Sequence, residues 1–374
     1  MASISSVPPF PNPWRPWMQR ALQLAELGAG NTSPNPLVGA VVLDAGEALV
    51  GEGYHSRAGE AHAEVGALAQ AGERARGGTL VVNLEPCCHH GRTPPCSQAV
   101  IAAGITRVVV AMADPNPQVA GGGVAQLRAA GIEVITGVAE AEARRLNRAF
   151  IHRIRCGRPL GILKWAMGID GRTALSNGSS QWISGPEARD WVHQLRSRCD
   201  AVIVGGGTVR ADDPLLTSRG QRQPEPLRVV LSRRLELPAK AALWDLSAAA
   251  TLVVHGPEVP AAAAAALDNR GVPRLELEVC SPQLLLEALA LRGCNQVLWE
   301  CGPELAAAAL ADGCVQELAA VIAPKLMGGQ PARTPLGELG FTSMDQILSW
   351  QAQTSQRLGS DLLWQLSSPA GLEP

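Results

Sequence analysis

The 374-residue sequence is poor in aromatic side chains, with one Tyr, three Phe and aromatics at 3% in all. That leaves little for the base-stacking platforms of a single-stranded nucleic-acid binder. An excess of charge of either sign is also lacking. With 32 Lys and Arg against 34 Asp and Glu, the formal net charge is −2, so no general attraction to phosphate polymers or anionic membranes exists. No apolar run approaches the roughly 20 residues needed to span a bilayer, because Gly, Asp, Glu or Pro interrupts each one. The opening stretch MASISSVPPFPNPWRPW holds no apolar core of a secretory signal. Nine cysteines, an odd number, then fit free thiols in a reducing cytoplasm better than a disulfide framework. Chemistry on a small molecule is what these absences leave, with neither nucleic acid nor membrane as a partner.

What is present has α/β character, and 374 residues at about 100–200 per domain favour two domains. After a Pro-rich, flexible leader over 1–15, the spacing of Met18, Ala21, Leu22 and Ala25 is helical and stops at Gly28-Ala29-Gly30. Strand-like runs at 37–43, 80–84, 108–112 and 133–136 alternate with helical stretches at 63–76, 97–103 and 124–130. This alternation predicts an α/β domain with a largely parallel sheet. A charged helix over 140–155 ends at Cys156-Gly157-Arg158-Pro159, where Gly and Pro punctuate the chain. The boundary belongs there, giving domains at 16–157 and 158–374. The second repeats the alternation, with strands at 160–165, 201–204, 227–231, 251–254 and 296–299 and helices near 186–198 and 283–291. The alanine run 261–266 reads as a surface helix.

The sharpest motif is His62-Ala63-Glu64 followed by Glu85-Pro86-Cys87-Cys88-His89-His90-Gly91-Arg92-Thr93-Pro94-Pro95-Cys96. His62, Cys87 and Cys96 supply the nitrogen and sulfur ligands that zinc prefers, and three protein ligands leave a fourth position for water. An imidazole and two thiolates around a dication give a nearly neutral site in which that water loses a proton near neutral pH. Glu64, two residues after the histidine, stands in the HxE relation in which the carboxylate moves protons and does not bind metal. Pro86 and Pro95 before the two cysteines suit first-turn positions, placing both thiolates at helix N-termini. A closed structural site, with Cys88 or His89 as fourth ligand, is the alternative, and it gives Glu64 no role. Nucleic-acid and nucleoside deaminases carry PCxxC, whereas eight residues here separate the cysteines.

The longer pattern EPCxHxGxTPPC, with Pro34-Asn35-Pro36-Leu37-Val38-Gly39 and Asp114-Pro115-Asn116-Pro117, resembles the riboflavin-biosynthesis deaminases. The resemblance implies a cytidine-deaminase-like three-layer α/β/α fold and a diaminopyrimidinone substrate bearing a ribosyl 5-phosphate. It implies substrate contacts from Asn35, His89, Arg92, Asp114 and Asn116, whose bland reading is as turn formers in Pro-rich loops. Arginine can pair with phosphate bidentately, and Asn and Asp can match the edge of a polar heterocycle.

The second half opens with Lys164-Trp165-Ala166-Met167-Gly168-Ile169-Asp170-Gly171-Arg172, then Ser179-Ser180-Gln181-Trp182-Ile183. Two strands run into glycine turns, Gly205-Gly206-Gly207-Thr208 and Glu300-Cys301-Gly302-Pro303-Glu304, which serve as phosphate cradles or as simple tight turns. Together with Thr208-Val209-Arg210-Ala211-Asp212-Asp213-Pro214, these segments resemble the riboflavin reductase half, dihydrofolate-reductase-like in fold and NADPH-dependent. The resemblance implies NADPH contacts from Ala166, Trp182, Thr208, Asp212 and the run Gly302, Pro303, Glu304, Leu305, Ala306, Ala307 and Ala308. It places Ser180, Arg196, Leu216, Arg219 and Glu300 at the substrate and Lys164 and Asp170 at the reaction centre, Lys164 as proton donor. It also implies a homo-oligomer. Gly168-Ile169 replaces the usual Ser-Leu, Ser232 stands where Asp is frequent, and Cys301 replaces a small residue. These departures keep open a second reading, a deaminase whose C-terminal half only binds or assembles.

Overall fold

A computed structural model describes residues 12–88, 95–117, 119–330 and 333–369. Packing divides the chain into two units, with the break after Ile154. In the first unit the elements follow as α1 (Arg15–Glu26), β1 (Gly39–Leu43), β2 (Leu49–Tyr54), α2 (Ala63–Ala71), β3 (Thr79–Leu84) and α3 (Cys96–Ala102). They continue as β4 (Arg107–Met112), α4 (Gly122–Ala129), β5 (Glu133–Thr136), α5 (Glu140–Leu146) and α6 (Arg148–Cys156). The sheet order is β2-β1-β3-β4-β5.

Strands β1, β3 and β4 are apolar on both faces, so the sheet must be covered twice. Ala40, Val42, Leu80, Val82, Val108 and Val110 pack with Ala67, Leu68, Val100 and Leu127 of α2, α3 and α4. The alternate residues Val41, Leu43, Val81 and Val109 pack with Met18, Ala21, Ala143 and Ile151 of α1, α5 and α6. Three layers result.

The expected parallel character holds only for β3, β4 and β5, because β1 pairs antiparallel with both β2 and β3. The expected helix 140–155 breaks at Asn147, which leaves helical geometry and clamps Leu37 through its amide oxygen at 2.8 Å and its amide nitrogen at 2.9 Å. The helix expected over 63–76 likewise tightens into a 3₁₀ turn after Ala71. Of the expected leader, 1–11 lies outside the described residues. Trp14 is buried in the second cluster, with the Arg107 guanidinium 5.1 Å from its ring centre.

The second unit runs β6 (Leu160–Gly168), α7 (Pro186–Ser197), β7 (Ala201–Gly205), α8 (Gly206–Asp212), β8 (Leu227–Leu231), β9 (Thr251–His255) and α9 (Ala261–Asp268). It continues with β10 (Arg274–Glu276), α10 (Pro282–Leu291), β11 (Gln296–Trp299), α11 (Pro303–Ala311), β12 (Glu317–Ala323), β13 (Gln351–Leu358) and β14 (Asp361–Ser367). The nine-stranded order is β10-β9-β8-β7-β11-β6-β12-β14-β13. Pairing is parallel from β10 to β12, and the β13-β14 hairpin closes that side antiparallel. Trp299, Ile203, Leu163, Leu285 and Ala306 sit at the centre of its core. Strand β11 inserts between β6 and β7, which brings the loop after β11 beside the loop after β7.

Candidate active sites

In the first unit, close backbone approach sets the position of α2. A Cβ on Gly53 in β2 would lie 2.4 Å from the Ala63 carbonyl, so glycine alone lets the helix start this near the sheet. That start carries His62 as N-cap residue and Glu64 in the first turn, with Glu64 3% exposed. Cys96 opens α3 and is buried, while Cys87 follows β3 in a stretch that is not helical. The expectation that both cysteines sit at helix N-termini is therefore corrected for Cys87. Its Sγ instead receives the backbone N–H of Cys96 at 3.3 Å.

One donor atom from each of His62, Cys87 and Cys96 lies within 4.8 Å of the others. His62 Nδ1 stands 3.1 Å from Cys96 Sγ and 3.7 Å from Cys87 Sγ. Hydrogen bonding with Cys96, helped by His62 and opposed by burial, pulls the Cys87 thiol down to about 4. The hydrogen bond with Cys87 raises His62 in turn. An imidazole and two sulfurs that draw positive charge to one point are a donor set suited to zinc. Burial pushes the Glu64 carboxyl above its ordinary range.

Asn35 reaches this centre through a residue that the sequence reading missed. Its Nδ2 lies 3.0 Å from His55 Nε2, and the His55 ring stands edge-on to His62 with centres 5.4 Å apart. A lone histidine at a strand end carries no motif to flag it. Asp114 is buried, and its Oδ1 accepts the Asn116 N–H at 2.8 Å. The Asp114–Asn116 loop is tied to the cysteine segment by Glu85, the first residue of that motif, to which the sequence reading gave no role and which accepts N–H groups from Asp114, Gly121 and Val124. His89 and Arg92 lie outside the described residues.

The second unit gathers a charged cluster at its centre. Arg196 on α7 meets Glu300 after β11 with paired bonds of 2.5 and 3.0 Å, and Lys164 Nζ on β6 lies 4.0 Å from the same carboxylate. Burial lowers the Lys164 ammonium despite Glu300 beside it. Burial alone would raise Glu300, but Arg196 and then Lys164 hold it below its ordinary range. Arg196 Nη1 also donates to the Thr217 carbonyl at 3.0 Å.

Several expected contacts meet one another here. Ser180 Oγ donates to Asp212 Oδ1 at 2.9 Å, and Thr208 Oγ1 accepts the Gly302 N–H at 3.1 Å, joining the two glycine turns. Trp182 is 62% exposed under the Arg189 guanidinium, and Ala166 is half-buried in β6. Leu216 is buried and Arg219 exposed, each at φ 57°. Within 302–308, Ala306 is fully buried, whereas Glu304, Ala307 and Ala308 border a shallow cavity of about 400 Å³ against 337–339. Lys164 and Glu300 do not line that cavity. Asp170 binds the Met327 and Gly328 N–H groups at 2.8 and 2.7 Å. A side chain at Gly168 would meet the Lys325 carbonyl at 2.6 Å, which accounts for glycine at this departure.

Residues 13–112 match the cytidine and deoxycytidylate deaminase zinc-binding region, and 159–364 match the RibD C-terminal domain. Riboflavin biosynthesis protein RibD of Synechocystis sp. is 52% identical over 93% of this chain and 94% of its own length. The chain belongs to the RibD family. The Escherichia coli RibD is 44% identical, covering 83% of this chain and 88% of that protein. The Acinetobacter baumannii RibD structure superposes with a TM-score of 0.86 at 40% identity, covering 95% of this chain and 98% of that one. A Thermotoga maritima structure, titled a diaminohydroxyphosphoribosylaminopyrimidine deaminase/5-amino-6-(5-phosphoribosylamino)uracil reductase, gives 0.84 at 34% identity over 95% and 98%. This RibD chain is therefore an enzyme with a deaminase half and a reductase half, using zinc and NADPH on small molecules. The reading in which the C-terminal half only binds or assembles gives way to the bifunctional one. No helix among the described residues is long and apolar enough to cross a membrane.

Proposed function

We propose that the half 16–157 deaminates 2,5-diamino-6-(5-phosphoribosylamino)pyrimidin-4(3H)-one to 5-amino-6-(5-phosphoribosylamino)uracil, and that 158–374 reduces the ribosyl group of that product to ribityl. The observation that carries this is the convergence of His62, Cys87 and Cys96 beside a buried Glu64. Those three side chains hold the zinc, which when bound supplies an acidified water as nucleophile. Glu64 takes a proton from the attacking water and returns it to the departing amine, a duty suited to a carboxyl raised by burial. Asn35, His89, Arg92, Asp114 and Asn116 bind the heterocycle and its phosphoribosyl arm.

In the second half, Arg196 and Glu300 orient the sugar, with Leu216, Arg219 and Ser180 around its phosphate arm. Lys164, its ammonium made more acidic by burial, donates a proton to the opening ribose ring. NADPH supplies the hydride. The two glycine turns fit its phosphates, since they end neighbouring parallel strands and open helices α8 and α11. Ala166, Trp182, Thr208, Asp212 and the 302–308 run complete the cofactor contacts, and Asp170 holds the 327–328 backbone at the margin of the centre. Leu362 and Trp364 leave apolar surface exposed on β14, which supports a homo-oligomer, while the near-neutral net charge and odd cysteine count support a cytoplasmic enzyme without nucleic-acid or membrane partners.

Ammonia release and NADPH absorbance, followed separately on the diaminopyrimidine phosphoribose, test both halves. Glu64→Gln is expected to stop ammonia release while still reducing the deaminated substrate. Lys164→Ala is expected to slow NADPH oxidation by roughly 10²–10⁴-fold with ammonia release intact. Normal deamination by Glu64→Gln contradicts the proton-carrying role.

A further inference from the structure

The segment between α8 and β8 takes an unusual path. Leu216 and Arg219 both adopt φ 57°, a region disfavoured for residues bearing a Cβ. Around Arg219 the flanking N–H groups turn to one side and meet the carboxylate of Glu225. Oε2 accepts the Ser218 N–H and hydroxyl, each at 2.6 Å, and Oε1 accepts the Gly220 N–H at 2.7 Å. Two N–H groups flanking a left-handed residue form a concavity that binds an anion. Here the chain fills that concavity with its own carboxylate. Glu225 sits between Pro224 and Pro226, whose fixed φ angles limit its freedom before any bond forms.

We propose that Glu225 is a positioning residue of the reductase half, fixing the 216–220 loop so that the Arg219 side chain, and not the loop backbone, meets the substrate phosphate. The inference rests on the reading above that Leu216 and Arg219 contact the phosphoribosyl substrate. Two other ties hold the same loop. Arg196 Nη1 binds the Thr217 carbonyl, and the Arg222 N–H reaches Ser218 Oγ at 3.2 Å. Both leave the conformation at Arg219 to Glu225. A bare carboxylate near a phosphate site repels its ligand, but three donors occupy this one, and the Ser218 and Gly220 bonds keep it ionised against the opposing effect of burial.

The test uses the full chain with zinc, NADPH and 5-amino-6-(5-phosphoribosylamino)uracil, comparing Glu225→Gln, Glu225→Ala, Arg219→Ala and Glu225→Gln with Arg219→Ala. Glu225→Gln keeps the volume but presents an amide nitrogen to N–H donors. It is expected to raise the substrate KM about tenfold, the equivalent of one lost charged hydrogen bond, with kcat within about threefold. The NADPH KM and ammonia release stay at wild-type values, and adding Glu225→Gln to Arg219→Ala raises KM little further. Should Glu225→Ala melt early, Glu225→Gln carries the decision. A wild-type KM in Glu225→Gln beside a raised KM in Arg219→Ala overturns the proposal and leaves the substrate reading standing. A lowered KM in Glu225→Ala also overturns it, by showing that the emptied backbone concavity binds phosphate. If Arg219→Ala itself leaves KM unchanged, the reading of Arg219 fails and the proposal falls with it.

Discussion

Glu300 shows how a single buried group is put to use. Its carboxylate is 11% exposed and meets a guanidinium bidentately and an ammonium at 4.0 Å, an arrangement that costs desolvation and returns it only while every charge is matched. Because its folded value lies below its unfolded value of 4.5, the group adds stability that is complete above pH 4.5 and is lost as pH falls through the lower folded value. The difference in melting temperature between wild type and Glu300→Gln is therefore expected to shrink steadily as pH falls below 4.5. A difference independent of pH contradicts the ion-pair account.

Other residues were legible only as types. The HAE and PC…PPC spacing pointed to His62, Cys87, Cys96 and Glu64, and the donor atoms of the first three do meet. His55 and Glu225 carried no such signal, and Glu85 stood in the motif without a role, since each acts through backbone or amide groups that only the folded chain brings near.

At the scale of elements, patterns that alternate or run apolar were readable and others were not. Strands β3, β4, β7, β8 and β9 each carry an apolar run of three residues or more, at 80–82, 108–112, 201–204, 229–231 and 252–254, that is buried on both faces. Strand β12, with the sequence ELAAVIA, is alanine-rich and reads as readily as a helix. Strand β13, QAQTSQRL, is almost entirely exposed because it pairs only with β14 at the sheet edge, so no hydrophobic period marks it. The break at Asn147 was hidden because its cause, a clamp on Leu37, lies 110 residues away.

The contact between α2 and β2 gives a sharper test at this scale. Gly53→Ala forces a methyl group against the Ala63 carbonyl and is expected to cost about 1–3 kcal/mol of stability in the first unit. Zinc affinity and ammonia release fall with it, while NADPH oxidation on deaminated substrate stays intact. Differential scanning calorimetry with metal titration checks this. Loss of both activities together contradicts the assignment of α2 to the deaminase site alone.

Across the whole molecule, one chain carries two α/β units with separate cores and separate chemistry. The alternation of strands and helices announced this plan, but strand order did not follow from it. Insertion of β11 between β6 and β7 is a tertiary choice, and it brings Thr208 to Gly302 and joins the two glycine turns. The departures at Gly168 and Ser232 are absorbed locally, the first beneath the Lys325 carbonyl and the second against Gly206.

The claim on which the deaminase half stands is the identity of the metal's ligands, and zinc K-edge X-ray absorption on the purified protein measures it directly. Two sulfurs at about 2.3 Å and one imidazole nitrogen at about 2.0–2.1 Å, with one further light atom, are expected, and Cys96→Ser should lose one sulfur or the metal itself. Four sulfur or nitrogen ligands from the protein, with no oxygen from water, would contradict an open catalytic site.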